Sequence, residues 1–265
     1  MCGVIKLVAS DLDGTLLQDG KKDVSDEAIT WIRRLKEQGI LFAAASGRQY
    51  ESLRKLFEPV KDEIAYIADN GACVVYQGEV LYKNCIDRGI GKEILQAILD
   101  RDGCEIALSG IKTLYLQAKS PEYVEYAKTV MKNTVTSVDD ILSVEEPYIK
   151  ISIYEPEGVQ HSEGYFQDMF GDKVTVVTSG NFWMDIVAKG VNKGAAMVML
   201  QKKLGVKPSE CMAFGDHYND VELLQSVGFP YAMDNARPEI HEMCKYHTKR
   251  VETVLQSLVE GTWDL

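Results

Sequence analysis

Asp11 and Asp13 stand two residues apart at the end of a short apolar segment, in the string Asp11-Leu12-Asp13-Gly14-Thr15. In extended backbone, residues i and i+2 project to the same side, so both carboxylates face one site. Paired carboxylates can attack an electrophile, hold a hard cation or move a proton. Gly14 lets the chain turn away. Taken alone the string also suits a polar turn. A calcium loop of the EF-hand kind is excluded, because such a loop needs an acid at position five and Gly at six.

Gly215-Asp216-His217-Tyr218-Asn219-Asp220 is the richest segment, lying between the apolar run Met212-Ala213-Phe214 and a helical pattern. Its two acids and one amide suit an oxygen-preferring cation such as Mg2+. His217 has no second histidine nearby and reads as a bystander. Ser46-Gly47-Arg48 follows an apolar run and opens a helix through about Phe57. Free N–H groups there, with a hydroxyl and a small Gly, can hold a phosphate, although Ser-Gly at a helix start is commonly just a cap. Lys193-Gly194 opens another helix, where a cation opposes the dipole and so suggests another purpose.

These strings need elements to hold them. Val4 to Ala9, Ile40 to Ala45 and Ile64 to Ala68 read as strands, the second continuous enough to be buried on both faces of a parallel sheet. Ser25 caps a helix whose apolar positions are Ala28, Ile29, Ile32 and Leu35. Three strand–helix alternations in the first 70 residues argue for an open α/β sheet, which binds ligands beyond the carboxyl ends of its strands. From about Val80 the texture changes. Val74 to Val80 is a hairpin around Gln77-Gly78. Helices at Gly91–Arg101 and Pro121–Asn133 alternate with strands at Thr113–Ala118, Tyr148–Tyr154, Lys173–Ser179 and Phe182–Val187, the last two joined by a Gly180-Asn181 turn. Alternation resumes after Gly190, with a helix at Gly194–Leu204, a strand at Cys211–Gly215, a helix at Asp220–Val227, a strand at Tyr231–Met233 and a final helix after Pro238. The expected division is an α/β core of residues 1–82 and 188–265, carrying an α+β insert of 83–187.

The 265 residues carry 29 basic and 40 acidic side chains, a net charge of −11, and basic residues cluster only in pairs. No basic stripe is offered to nucleic acid or to an anionic membrane. The longest apolar runs, Ile40–Ala45 and Ala195–Leu200, are far shorter than the ~18 residues that span a bilayer. Lys6 interrupts the first apolar stretch, which excludes a secretory signal. Six cysteines show no C-x-x-C pair and imply reduced thiols in the cytoplasm. Two decoys remain. Gly89-Ile90-Gly91 lacks the third Gly of a dinucleotide loop. Phe182-Trp183-Met184 supplies alternating core and surface contacts in a strand; a Trp183 facing the cleft would instead stack on a substrate, and periodicity does not choose the face.

With these strings in this order, the chain resembles the haloacid dehalogenase-like phosphohydrolases, in particular the Cof-type subfamily with a large cap. The matching pieces are Asp11–Thr15, Ser46–Arg48, Asp69–Ala72 (Asp-Asn-Gly-Ala), Lys193-Gly194, Gly215–Asp220 and Met233-Asp234-Asn235-Ala236. The resemblance covers essentially the whole chain. Ser46 stands where Thr is commoner, His217 and Tyr218 are bulky for their positions, and Lys249-Arg250-Val251-Glu252 replaces the subfamily's usual C-terminal stretch.

The resemblance implies a Rossmann-like core with an inserted cap and phosphoryl transfer through an aspartyl-phosphate. Asp11 would be the nucleophile and Asp13 the general acid and base. Mg2+ would be held by Asp11, the Asp13 backbone carbonyl and Asp216. Ser46, Gly47 and Lys193 would hold the phosphoryl oxygens, and Asn219 would contact the phosphate or position its segment. Asp220 would orient Lys193 or a metal-bound water, while Arg48 and Asn70 would act on the substrate side or brace loops. The cap would close over a small phosphorylated metabolite, such as a sugar phosphate or a phosphorylated vitamin-type cofactor, and set specificity. A sugar phosphomutase and an idle phosphate-binding regulator share these motifs; a hydrolytic dehalogenase would need neither Asp13 nor a metal.

Overall fold

The computed structural model describes residues 5–111, 113–179 and 181–263. Its first half runs β1 (Leu7–Ser10), α1 (Asp26–Glu37), β2 (Leu41–Ala45), α2 (Tyr50–Leu56), β3 (Ala65–Ala68), β4 (Cys73–Tyr76), β5 (Glu79–Lys83), α3 (Arg88–Leu99), β6 (Glu105–Ser109), β7 (Leu114–Leu116), α4 (Pro121–Thr129) and β8 (Val135–Ser137). It continues with β9 (Lys150–Tyr154), α5 (Gln160–Phe170), β10 (Val174–Ser179), β11 (Trp183–Ala188), α6 (Lys193–Leu204), β12 (Cys211–Gly215), α7 (Val221–Gln225), β13 (Phe229–Met233), α8 (Pro238–Met243), β14 (Tyr246–Thr248) and α9 (Val251–Glu260).

Two sheets organise these elements. The first has the order β14-β13-β12-β1-β2-β3-β4-β5, parallel from β14 to β3, with an antiparallel β4–β5 hairpin at its edge. Alternation along β1 sends Val8 to one apolar cluster, with Ile32, Phe42 and Leu255, and Leu7 and Ala9 to another, with Ala43, Met197 and Leu223. Both faces of the sheet are therefore covered, as a parallel sheet requires. α1 packs by its predicted stripe, and the Ser25 hydroxyl accepts from the Ala28 N–H. The second sheet has the order β10-β11-β9-β6-β7-β8 and a core of its own around Ile94, Ile106, Ile151 and Phe166. This is the expected α/β class with a parallel-sheet core. Among the described residues no helix is long and apolar enough to cross a membrane.

Several local expectations change. The second helix begins at Tyr50, so Ser46-Gly47-Arg48 is a loop. The Arg48 N–H turns back to the Ser46 hydroxyl, and the Asp69 and Asn70 N–H groups bind the carbonyls of Arg48 and Ser46. Those bonds hold the loop out of helical conformation. Asp220 closes a 3₁₀ turn, Tyr218–Asp220, and the helix behind it ends at Gln225. The chain does not finish with the helix after Pro238: β14 completes the sheet edge and α9 packs against α1. β6, β8 and α5 are additional to the expected elements. The Gln77-Gly78 turn is present, both residues having positive φ. Gly180, Val4 and Cys2 lie outside the described residues; β10 and β11 pair antiparallel up to Ser179 opposite Trp183. The five described cysteines are free.

Candidate active site

Asp11 leaves the carboxyl end of β1, and β12 ends beside it at Gly215, so the two acidic segments emerge at neighbouring strand tips. Between them lies Lys193, the first residue of α6, with no exposed surface. Its ammonium donates to Asp11 Oδ1 and Asp220 Oδ1, both at 2.6 Å. Burial works against that charge, but Asp11 and Asp220 outweigh it and hold the lysine pKa above its ordinary value. The helix start is capped separately, by the Asn192 side chain accepting from Ala195 N–H. An unfavourable cation at a helix N-terminus is thus explained by its partners.

Asp220 is saturated. Its Oδ2 accepts the N–H groups of Asp216 and His217, at 3.1 and 3.2 Å, and so wraps its own loop. A Cβ on Gly215 would lie 2.5 Å from the Asp220 Cβ, which is why only Gly fits there. Asp216 Oδ1 accepts from the Thr15 hydroxyl at 2.8 Å. Burial pushes the Asp216 carboxyl up to about 6, with Asp220 adding to it. Asp11 is pushed well above the carboxylate range by burial, then by Asp220, with Lys193 opposing.

Asp13 turns the other way. Its carboxylate is forked by Arg48, Nε to Oδ2 at 2.9 Å and Nη2 to Oδ1 at 2.6 Å. Asn70 does not reach towards the acidic pair: it donates to Asp185 Oδ2 at 2.7 Å and accepts from Asn219 at 3.2 Å. Asp69 and Asn70 both hold left-handed φ, 50° and 55°, to make that turn. Asp11, Asp13, Ser46, Gly47, Arg48, Asp216 and Asn219 all border one cavity of about 420 Å³. Lys193, Asp220 and Asn70 stand behind its wall.

A family model for haloacid dehalogenase-like hydrolases matches residues 8–255. The chain belongs to the haloacid dehalogenase-like hydrolases. Within that family this hydrolase is a phosphatase of the Cof type. It is 30% identical to the 5-amino-6-(5-phospho-D-ribitylamino)uracil phosphatase of Escherichia coli, over 91% of this chain and 90% of that protein. It is 28% identical to the HMP-PP phosphatase of Citrobacter koseri, over 89% and 86%. A solved structure from Eubacterium rectale is 32% identical, with a TM-score of 0.82 over 96% of this chain and 99% of that one.

Hydrolases of this family typically use a divalent metal, and the acidic residues here fit one. Asp11, Asp216 and Asp220 each offer an oxygen within 4.8 Å of the others. Lys193 and backbone N–H groups occupy Asp220, while the second oxygens of Asp11 and Asp216 have no hydrogen-bond partner among the described residues. Crowded, hard, oxygen-only donors of this kind suit Mg2+-like ions.

The cavity is also bordered by residues that motif reading missed. Lys150 of β9 donates to the Gly47 carbonyl and to Asp185 Oδ2, the latter at 3.2 Å, and Ser152 donates to Asp185 Oδ1 at 2.6 Å. The available signal was a lone charge in each of two apolar strands, Lys150 and Asp185, since buried charges are kept only when paired. Met184 takes the buried face and Trp183 borders the cavity, which fixes the face that periodicity left open. His217 also borders it, both ring nitrogens unpartnered among the described residues.

Gly14 has φ +94°, and a Cβ there would stand 2.9 Å from the Asp216 Cγ. Gly14→Ala in the hydrolase will displace Asp216 and lower turnover by about 10- to 100-fold while leaving the far-UV spectrum intact. Unchanged steady-state kinetics would show that the Asp216 position is not needed.

Proposed function

We propose that this phosphatase hydrolyses a small phosphorylated metabolite by way of a phosphorylated Asp11, with Mg2+ as cofactor. The observation that carries the reading is the fully buried Lys193 bridging Asp11 and Asp220 beside Asp216. Residues 1–82 and 188–265 would form the catalytic core and 83–187 the cap, whose β9 and β11 supply one side of the cavity. The cytoplasm is the proposed location, in keeping with the free thiols.

In this mechanism Asp11 attacks phosphorus, the P–O bond to the alcohol breaks, and Asp13 protonates the leaving oxygen. Asp13 then takes a proton from the water that attacks phospho-Asp11, releasing inorganic phosphate and restoring Asp11. Lys193 neutralises charge as it develops on the phosphoryl oxygens, and the Ser46 hydroxyl and Gly47 N–H bind them. Asn219 contacts the phosphate, Asp220 holds Lys193 in place, Arg48 positions Asp13, and Asn70 braces the loop. Asp11, the Asp13 carbonyl and Asp216 would hold the ion, which supplies electrostatic shielding between carboxylate and phosphoryl group.

Activity on a panel of phosphate esters will need Mg2+, vanish in excess chelator and be poorly supported by Ca2+, whose looser coordination misplaces the reactants. Full turnover in chelator would refute the metal assignment. Free phosphate release without a bisphosphate activator separates a phosphatase from a phosphomutase, and zero turnover across the panel would favour a phosphate-binding regulator.

A further inference from the structure

The side of the cavity facing the Ser46–Arg48 loop is aromatic and apolar: Tyr126 comes from α4, Val130 and Met131 from the residues just after it, Phe182 from just before β11 and Trp183 from its first position. Trp183 is held by a cluster of its own. Tyr154 packs on it at 4.9 Å between ring centroids, and Tyr126 lies nearly parallel at 6.4 Å with 20° between planes. Tyr123 stacks behind Tyr154 at 5.6 Å and 11°. A ring fixed in this way loses little conformational freedom when a ligand lies against it. Tyr126 borders the same cavity as Arg48 and Asp13, so the wall adjoins the groups at the leaving-group end of the reaction.

The charged groups on the same side already have protein partners. Lys150, Ser152 and Asp185 bind one another, Gly47 and Asn70, and the Asn181 side-chain oxygen accepts from Arg237 at 3.4 Å. A polyol leaving group would meet rings where its hydroxyls need partners, and unpaired hydroxyls are costly to bury. A flat ring meets faces that suit it. At about 420 Å³, the cavity has room for a phosphoryl group and a ring system.

From this we infer that the Trp183–Tyr126 wall selects phosphate monoesters whose alcohol carries a planar aromatic or heteroaromatic ring. The inference rests on the phosphatase reading and names its substrate class. Benzyl phosphate, cyclohexylmethyl phosphate and glycerol 3-phosphate test it, the first two differing in aromaticity at nearly equal size. The enzyme with Mg2+ will show kcat/KM for the benzyl ester about five- to tenfold above the cyclohexylmethyl ester, with the polyol ester slowest. In Trp183→Leu the benzyl-to-cyclohexylmethyl ratio will fall to near one, and Trp183→Phe will keep part of it. A ratio near one in the unaltered enzyme, an unchanged ratio in Trp183→Leu, or a fastest polyol ester overturns the inference. If Trp183→Leu does not fold, Trp183→Phe and the unaltered enzyme's ratio decide it. No turnover of these esters or of acetyl phosphate would instead sink the phosphatase reading. Quenching of tryptophan fluorescence by benzylphosphonate then decides the wall: a tighter Kd than for cyclohexylmethylphosphonate supports it, and equal or absent quenching overturns it.

Discussion

Asp11→Asn protein will hydrolyse every phosphate ester at background rate, whereas Asp13→Ala will fail selectively. The amide introduced by Asp11→Asn cannot form the acyl phosphate, so both half-reactions are lost. Asp13→Ala keeps the nucleophile and the main-chain carbonyl at position 13. Its first half-reaction will suffer with alkyl phosphates, whose leaving oxygen needs a proton. It will suffer much less with p-nitrophenyl phosphate, whose phenolate departs unaided. The second half-reaction needs a base for water whatever left first. Asp13→Ala given the aryl ester will therefore release a burst of nitrophenol and accumulate protein heavier by one phosphoryl group, located on Asp11 by mass spectrometry. Absence of the burst, or more than trace activity in Asp11→Asn, contradicts the assigned roles. The Arg48 ion pair is also lost in Asp13→Ala, and because Arg48 is largely buried the variant will melt lower as well, so its Tm is compared alongside.

The second large effect is at Lys193. Lys193→Met will lower turnover by about 10²- to 10³-fold or more, because a charge aimed at the phosphoryl oxygens is gone. It will also destabilise the metal-free protein, by about 3–5 kcal/mol, since Asp11 and Asp220 remain buried without their cation. The deficit will depend on pH with a definite sign. Asp11 and Asp216 already titrate above the ordinary aspartate value, Asp216 at about 6, through burial and Asp220. Loss of the ammonium raises them further. A carboxyl whose folded pKa exceeds its unfolded value contributes stability at low pH that is lost as pH rises through the folded value. Melting in chelator will therefore show a small Tm deficit near pH 5 and the full deficit near pH 8. A deficit flat across that range would place the strain elsewhere.

What the residues reveal in advance follows from how locally each feature is encoded. Asp11, Asp13, Lys193 and Asp216 are legible because each sits where a strand gives way to a turn or helix, a junction visible in a window of a few residues. The parallel sheet is legible for the same reason: apolar runs such as Ile40–Ala45 admit few other placements. Ser46-Gly47-Arg48 reads as a phosphate loop but is misplaced in a helix, because the bonds that hold it open come from Asp69 and Asn70. Lys150 and Asp185 escape notice for a stronger version of that cause. Their partners Gly47 and Asn70 lie 103 and 115 residues away, and no local pattern announces such a meeting. Trp183 stands out without finding its place, since alternation along a strand names two faces without saying which one borders a cavity.

The contact between Lys150 and the Gly47 carbonyl ties a strand of the second sheet to a peptide plane of the loop that follows β2 of the first. The N–H groups on either side of that plane belong to Ser46-Gly47-Arg48, so under the proposed function cap placement and loop shape would not be separate coordinates. Lys150 and Asn70 both donate to Asp185 Oδ2, so the contacts of the two loops meet at one buried carboxylate. Thermodynamic reciprocity then applies: if the seated cap raises the affinity of the loop for an oxyanion by some factor, an oxyanion in the loop favours the seated cap by the same factor. In the proposed mechanism, inorganic phosphate held at the loop would then favour the seated cap, and product inhibition would report on it.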